Sequence, residues 1–139
     1  MTIEEQFKEI TEIYYSMPTK ERNYFNPNDS WKDTPKERIF YRKVIPQKGF
    51  IEVCRMDKGK DTRVSIDYAV APNFRGQGIA SSLLVEALEY CQKNGATSIY
   101  ADAHFQNKKS KMLLKKYNFY EAYRVDKMIT FKKELEKNI

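Results

Sequence analysis

The fold of this chain is decided by the stretch Val70-Ala71-Pro72-Asn73-Phe74-Arg75-Gly76-Gln77-Gly78-Ile79-Ala80-Ser81. It follows residues that alternate in polarity and precedes residues with apolar side chains at three- and four-residue spacing, which predicts a strand-to-helix turn. Glycines permit a tight turn and let a ligand approach the backbone. The first amides of a helix lack partners within it and attract a phosphate. The stretch therefore predicts a phosphate-binding loop, with Arg75 adding positive charge; a turn that binds nothing is the alternative.

The flanking residues predict an α/β fold with a mixed, mostly antiparallel central sheet flanked by helices. An amphipathic helix over residues 3–17 ends at Pro18, and residues 19–36 lack a clear period apart from a short helix near residues 20–25. An antiparallel meander follows, with strands predicted over residues 39–45, 49–55 and 63–70.

After the loop, an apolar stripe from Ile79 to Cys91 predicts a helix that ends at Asn94-Gly95, where glycine suits a left-handed cap. A strand over residues 98–103 and a helix over residues 107–116 come next, with Met112 and Leu113 expected to face inward. Final strands are predicted over residues 122–124 and 127–133. A strand-helix-strand unit after a meander gives the sheet its parallel pair.

Composition places limits on the class of protein. The 139 residues, 41% hydrophobic and 32% charged, suit one globular domain over residues 1–139 rather than a disordered chain. No apolar run approaches the ~18 residues of a membrane span, and the acidic start shows no secretory signal. Cys54 and Cys91 lie in apolar patterns, which favours buried thiols in a reducing cytoplasm. One histidine and two distant cysteines do not give the usual zinc spacing, so no metal is expected.

The net charge of +6 is concentrated near the end of the sequence. From residue 101 onward, ten Lys and Arg face five Asp and Glu, a balance of +5. A basic surface suits a polyanionic partner such as a phosphate-bearing cofactor, an acidic protein or nucleic acid. A solvated lysine-rich surface is the alternative, and nucleic acid is not favoured because no recognition motif is visible.

Gly76-x-Gly78-x-x-Ser81 nearly matches the fingerprint of a dinucleotide-binding site, and Asp102 lies at a suitable distance from it. That fold places the motif after its first strand and continues with further parallel strands. Here three strands precede the motif and 36 residues follow Ala103. The pattern therefore argues against a dinucleotide fold.

Two motifs resemble the GNAT superfamily of acyl-CoA-dependent N-acyltransferases. Arg75-Gly-Gln-Gly78-Ile-Ala80 is similar to its Arg/Gln-x-x-Gly-x-Gly/Ala signature, and Val70-Ala-Pro72 is similar to the Val-x-Pro that ends the strand before it. Downstream, Asn107-x-x-Ser110-x-x-Leu113-Leu114-x-x-x-Asn118-Phe119 resembles Asn-x-x-Ala-x-x-Leu-Tyr-x-x-x-Gly-Phe. The resemblance implies acetyl transfer from acetyl-CoA to a primary amine of a small molecule or protein.

The same resemblance implies where acetyl-CoA binds. The sheet would splay between the strand ending at Val70 and the strand ending at Ala103, with the cofactor in the gap. Pantetheine amides would pair with the backbone of Tyr68, Ala69 and Val70, and Asn107 would point toward the pantetheine or adenosine. The pyrophosphate would take the amides of the loop, namely those of Gly76, Gln77, Gly78, Ile79, Ala80 and Ser81.

The chain departs from the family motif at Leu114, where the family has a tyrosine that acts as acid or orients the thiol. Leucine cannot donate a proton, so Tyr117, Tyr120 and His104 are alternative donors. The departure also leaves open a non-catalytic CoA-binding or interaction module on the same fold. Asn118 replaces the family's glycine, and asparagine suits the left-handed turn expected there.

Asp102 is the first choice for the catalytic base, because it occupies the place of a strand glutamate in some N-terminal protein acetyltransferases. Asp67 and Glu52 are alternatives, and each is expected to be an outward polar residue if it is not the base. The acceptor is expected to enter over residues 19–36, against an aromatic pocket. Its walls would be Tyr14, Tyr15, Tyr24, Phe25 and Trp31. Dimers are common in the family, so a homodimer is one option.

Overall fold

The structure is a computed structural model that describes residues 1–25, 34–56 and 62–136. The helices and strands follow one another along the chain in the predicted order. The elements are α1 (Ile3–Ser16), α2 (Thr19–Arg22), β1 (Ile39–Ile45), β2 (Gly49–Arg55), β3 (Thr62–Val70), α3 (Ile79–Lys93), β4 (Ala96–His104), α4 (Lys108–Lys116), β5 (Tyr120–Val125) and β6 (Met128–Glu134). Two short 3₁₀ turns, Lys36–Arg38 and Pro72–Phe74, precede β1 and the glycine loop.

The six strands form one sheet in the order β1-β2-β3-β4-β6-β5. Only β3 and β4 pair in parallel among the described strands, and the other neighbours are antiparallel. A parallel pair needs a crossover between its strands, and α3 provides it. The predicted mixed, mostly antiparallel sheet flanked by helices is confirmed.

The parallel pair β3–β4 parts before either strand ends. Its ladder in the described chain stops where Ile66 faces Ala101. On their outer sides, β3 stays paired with β2 as far as Val70, and β4 stays paired with β6 as far as His104. The two strands are therefore held apart by their outer neighbours, which produces the expected splay in the middle of the sheet.

Apolar side chains pack on both faces of the sheet. Helices α3 and α4 cover one face, with Leu83, Leu84, Leu114 and Phe131 fully buried beneath them. Helix α1 covers the opposite face over β2 and β3, where Ile10 and Ile13 pack on Phe50. The sheet thus forms the middle layer of the fold. The gap between β3 and β4 lies in that layer, with helices packed on either face of the sheet.

Two predicted left-handed turns are present. Gly95 follows α3 with φ +82°, and Asn118 follows α4 with φ 69°. The turn at Asn118 brings Phe119 back under α4, where its side chain is buried. Asparagine and glycine adopt this conformation at lower cost than other residues, which explains their positions.

One packing prediction was half wrong. Leu113 is half-buried against the core as expected, but Met112 is 71% exposed and Leu114 is fully buried. The inward stripe of α4 consists of residues 110, 113, 114 and 117, which share a helix face at three- and four-residue spacing. Met112 lies on the opposite side of that helix.

The other differences are at element ends. The first helix ends at Ser16, the short second helix covers Thr19–Arg22, and β4 and β5 are longer than predicted. Cys54 is half-buried and Cys91 is buried, and both are free thiols. Over the residues that are described, no helix has the length and apolar character needed to cross a membrane.

The buried position of Leu114 gives a stability prediction. Leu114→Ala should lower the free energy of unfolding by about 2–5 kcal/mol, because it leaves a cavity in a packed core. Met112→Ala on the same helix should change it by less than about 0.5 kcal/mol, because that side chain faces solvent. Urea denaturation of both variants measures the difference, and equal losses would contradict the orientation of α4.

Candidate active site

A cleft of about 440 Å³ opens where β3 and β4 part. Four segments form its wall: the α1–α2 segment, the parted edge of β3, the glycine loop with the start of α3, and the end of β4 with the start of α4. The lining residues are Met17, Glu21, Tyr24, Phe25, Ile66, Asp67, Tyr68, Ala69, Val70, Phe74, Arg75, Gly76, Gly78, Ile79, Ala80, Ser81, Asp102, Ala103, Asn107, Lys109, Ser110 and Leu113. Every residue predicted to contact the cofactor lies in this wall except Gln77, which is exposed beside it.

The glycine loop leaves open space beside its backbone. Gly76 and Gly78 have φ of +79° and +78°, and a Cβ built on either would meet no described atom within 4 Å. Gly78 caps α3 without a side-chain hydrogen bond, and the first helical bond runs from Ser82 N–H to the Gly78 carbonyl at 3.0 Å. The amides of residues 79–81 therefore precede the helical ladder and can meet an anion.

Arg75 is held at the mouth of the loop by two hydrogen bonds. Its Nε donates to the Val70 carbonyl at 3.1 Å, and Nη1 donates to Glu21 Oε1 on α2 at 2.7 Å. The hydrogen bond and charge of Arg75, together with the charge of Lys109, hold the pKa of Glu21 below its ordinary value of 4.5, although burial opposes them. Around Glu21 the two cations outnumber the one carboxylate, which suits an anionic ligand at the glycine loop.

The side chain of Tyr68 contributes to the cleft as well as its backbone. Its hydroxyl lies 2.6 Å from Ser110 Oγ on α4. Burial raises the pKa of Tyr68 to about 12, although the hydrogen bond to Ser110 opposes the shift. The family resemblance implies a role for the backbone of Tyr68 and none for its side chain. The alternation of Val64, Ile66 and Tyr68 was the signal that could have placed the phenol on the α4 side of the sheet.

Asn107 serves as the N-cap of α4. Its Oδ1 accepts a hydrogen bond from the Ser110 amide at 3.2 Å, and the residue lines the cleft. Its capping role is visible in the structure, whereas its role toward a cofactor stays a prediction.

Two of the three candidate bases lie in the cleft wall. Asp102 is exposed on β4, where its Oδ1 accepts a hydrogen bond from Thr130 Oγ1 at 2.7 Å. Asp67 is half-buried on β3. The two carboxylates therefore belong to opposite strands of the parted pair.

Glu52 is not in the wall, and the expectation that it faces outward was wrong. It is 1% exposed and forms an ion pair with Arg42, which donates through Nε at 2.8 Å. Thr34 Oγ1 donates to it at 2.7 Å and Cys54 Sγ at 3.0 Å. These partners compensate for burial of the charge. Arg42 lies opposite Glu52 in the β1–β2 hairpin, and Thr34 reaches it from the segment before β1. Burial, with the charge of Glu52, raises the pKa of the Cys54 thiol.

The alternative proton donors lie outside the described cleft wall. Tyr117 is 3.1 Å from Ser81 Oγ, hydroxyl to hydroxyl, at the start of α3, and the Tyr120 hydroxyl donates to Glu134 at 3.4 Å. Leu114 is enclosed in the core, so a tyrosine at that position would need room inside a packed interior.

His104 stands at the end of β4 and packs against Tyr24, with ring centroids 5.0 Å apart and ring planes tilted by 32°. Its Nδ1 accepts a hydrogen bond from the Gln106 amide at 3.1 Å. Burial, with the nearby charges of Lys127 and Arg124, lowers the pKa of His104. The ring therefore favours its neutral form.

The predicted aromatic pocket is only partly formed by the described residues. Tyr24 and Phe25 line the cleft. Tyr14 packs edge-on against Phe25 beside the α1 core, and Tyr15 is 57% exposed. Trp31 lies outside the residues that are described. No group of three or more His, Cys, Asp or Glu in the described ranges could hold a metal ion.

Comparisons with known proteins agree with this architecture. A family model described as the acetyltransferase (GNAT) family matches residues 5–119. A search of curated proteins gives no significant match. Among solved structures, the GNAT domain of S. lividans PAT superposes with a TM-score of 0.74 at 15% identity, covering 97% of this chain and 88% of that one.

Two further solved structures match a smaller share of this chain. A GNAT acetyltransferase from Streptococcus pneumoniae has a TM-score of 0.56 at 18% identity over 64% of this chain and 60% of its own. YncA from Salmonella typhimurium, solved with its cofactor acetyl-CoA, has a TM-score of 0.57 at 16% identity over 66% and 60%. The chain thus spans about 60% of the length of these two proteins, and the likeness concerns the fold.

The Arg75–Glu21 pair predicts a pH dependence of stability. Because the pKa of Glu21 is depressed in the folded chain, its stabilisation is present above the ordinary value of 4.5 and is lost as the pH falls through the folded value. Glu21→Gln should therefore cost about 0.2–1 kcal/mol near neutral pH, as partly exposed pairs do. Urea denaturation between about pH 7 and about pH 3 should show the two proteins converging in acid. A difference that stays constant across that range would contradict the pairing.

Proposed function

The chain belongs to the GNAT acetyltransferase family, and we propose that it transfers an acetyl group from acetyl-CoA to a primary amine of a small molecule or protein. The observation that carries the proposal is the cleft itself. A parted strand edge and an open glycine loop line one continuous surface. An extended amide-bearing chain that ends in phosphates fits such a surface.

The residues of the cleft fit both the pantetheine arm and the pyrophosphate of acetyl-CoA. The backbone of residues 68–70 lies on the part of β3 beyond its ladder with β4, where pantetheine amides could replace a strand. The amides of residues 76–81, with space beside Gly76 and Gly78, would hold the pyrophosphate. Asn107 would lie toward the pantetheine or adenosine. When bound, acetyl-CoA supplies an acyl group activated as a thioester.

Asp102 is proposed as the base that takes the proton from the attacking amine. It lines the cleft on the β4 side, and the hydroxyl of Thr130 orients its carboxylate. An amine must lose a proton to form an amide, and a carboxylate in reach can accept it directly or through water. Asp67, across the cleft on β3, is the alternative base.

A second candidate function is a CoA-binding module without catalysis. The observation that favours it is Leu114, whose side chain is enclosed in the core and offers no hydroxyl to the cleft. The two functions differ in one product, because transfer to an amine releases a free thiol and binding does not.

The proposal also includes one domain over residues 1–139 and a cytoplasmic location. All six described strands belong to a single sheet, which supports one folding unit. The free thiols of Cys54 and Cys91 suit a reducing compartment.

Cofactor binding is tested at the glycine loop. Acetyl-CoA at about 100 times its dissociation constant should add about 2.7 kcal/mol to the stability of the native chain, seen as a rise in Tm, whereas NAD should not. Gly78→Val should abolish the rise, because its side chain fills the space beside the loop.

Gly95→Val is the matched control for Gly78→Val. Both glycines have positive φ and open space, so both variants carry the same backbone strain, but Gly95 lies outside the cleft wall. Acetyl-CoA should still raise the Tm of Gly95→Val. Normal binding by Gly78→Val, or a rise with NAD and none with acetyl-CoA, would contradict the proposed site.

The base is tested by comparing Asp102→Asn with Asp67→Asn. Loss of a general base should lower the rate of thiol release by roughly 10²–10⁴-fold, and we expect the larger loss at Asp102. Thiol release from acetyl-CoA is followed with a panel of amines. A large loss in Asp67→Asn alone would transfer the role to that residue, and no thiol release from the unaltered protein with any amine would favour the non-catalytic module.

A further inference from the structure

The hydroxyl pair of Tyr68 and Ser110 has no role in the function proposed so far. It connects β3 to α4 across the cleft wall, with 2.6 Å between the two oxygens. Other O–H groups in the described wall belong to Tyr24, on the α2 side, and Ser81, which is held by Tyr117. Tyr68 is therefore the tyrosine that β3 contributes to the cleft wall.

The position of Tyr68 along β3 places it at the reacting end of an acyl-CoA. The phosphate loop follows the end of β3, so a cofactor anchored there extends back along the strand toward the point where β3 and β4 rejoin. That point is Ile66 opposite Ala101, two residues before Tyr68. Because a strand rises about 3.3 Å per residue, Tyr68 lies roughly 7 Å along β3 from Ile66, where the gap between the strands begins.

We propose that Tyr68 is a catalytic residue whose hydroxyl donates a hydrogen bond to the sulfur of the departing CoA, while Ser110 donates to the phenolic oxygen. The inference rests on the proposed acetyl transfer. It assigns to Tyr68 on β3 a role toward sulfur that position 114 of α4 does not fill, because Leu114 is in the core.

The step balances without transfer of the phenolic proton. The amine nitrogen bonds to the acyl carbon as the carbon–sulfur bond breaks, the electron pair of that bond goes to sulfur, and the carboxylate base takes the amine proton. Tyr68 keeps its proton, because burial raises its pKa to about 12, whereas a thiol ordinarily ionises near ~8.5. A phenol in this state donates to a thiolate over the whole physiological pH range.

Hydrogen bonds to charged groups are stronger than those between neutral groups, so the effect should be measurable. Tyr68→Phe should lower kcat for thiol release roughly 10- to 100-fold with little change in KM for acetyl-CoA, because the donor acts on the charge that develops at sulfur. A merely structural residue would not produce this separation.

The decisive readout does not depend on turnover. The thiol of CoA bound to the unaltered protein should ionise at a pKa about 1–2 lower than the thiol of CoA bound to Tyr68→Phe, because the phenol stabilises the thiolate. The measurement is the ultraviolet absorbance of the bound thiolate, titrated below the pH at which tyrosines ionise, with binding checked by calorimetry.

Two control variants separate the phenol from its surroundings. Ser110→Ala removes the hydrogen bond to α4 but keeps the phenol, so the pKa of the bound thiol should rise by less than it does in Tyr68→Phe. Tyr120→Phe makes the same chemical change on exposed β5, outside the cleft wall, and should have no effect.

An unchanged thiol pKa in Tyr68→Phe would overturn the inference while leaving CoA binding intact. A Ser110→Ala variant that reproduces the whole effect of Tyr68→Phe would also overturn it, because the β3–α4 bond would then be the cause. Absence of CoA binding by the unaltered protein would instead contradict the proposed function, and this inference with it.

Discussion

The parting of β3 and β4 is the constraint on which the rest of the site depends. The two strands are parallel neighbours up to Ile66 and Ala101, but β2 and β6 continue to hold them farther along. Backbone polar groups must find partners, so a strand edge that leaves its ladder inside a protein is a surface prepared for a ligand. The cleft, its two carboxylates and the Tyr68 hydroxyl are all arranged around this gap.

The glycine loop follows from the same geometry. The chain leaves β3 at Val70 and begins α3 at Ile79, and in this connection Gly76 and Gly78 take positive φ and α3 starts without a side-chain cap. Arg75 then connects the loop to α2 through its ion pair with Glu21. This connection therefore shapes the proposed phosphate site and joins it to the α1–α2 side of the cleft.

Features set by local sequence were predictable, and features set by distant partners were not. Alternating apolar residues predicted the strands, and glycine or asparagine predicted the turns at Gly95 and Asn118, because these depend on backbone conformation alone. The predicted hairpin places Arg42 opposite Glu52, but the burial of Glu52 also depends on Thr34, which reaches it from the segment before β1. Helix α4 has only nine residues, too few for the spacing of its apolar residues to identify the buried side. The sequence therefore did not predict that Leu114 faces inward and Met112 faces solvent. The Tyr68–Ser110 pair joins residues 42 apart in the sequence.

Residue-resolved amide hydrogen exchange with and without acetyl-CoA tests the central claim most directly, because it reports where the ligand meets the backbone. Binding in the gap should slow exchange within residues 68–70 and 76–81. It should leave the exposed edge strand β5 unchanged. Protection confined to other parts of the sheet, with residues 68–70 and 76–81 exchanging as in the free protein, would contradict a cofactor site between β3 and β4.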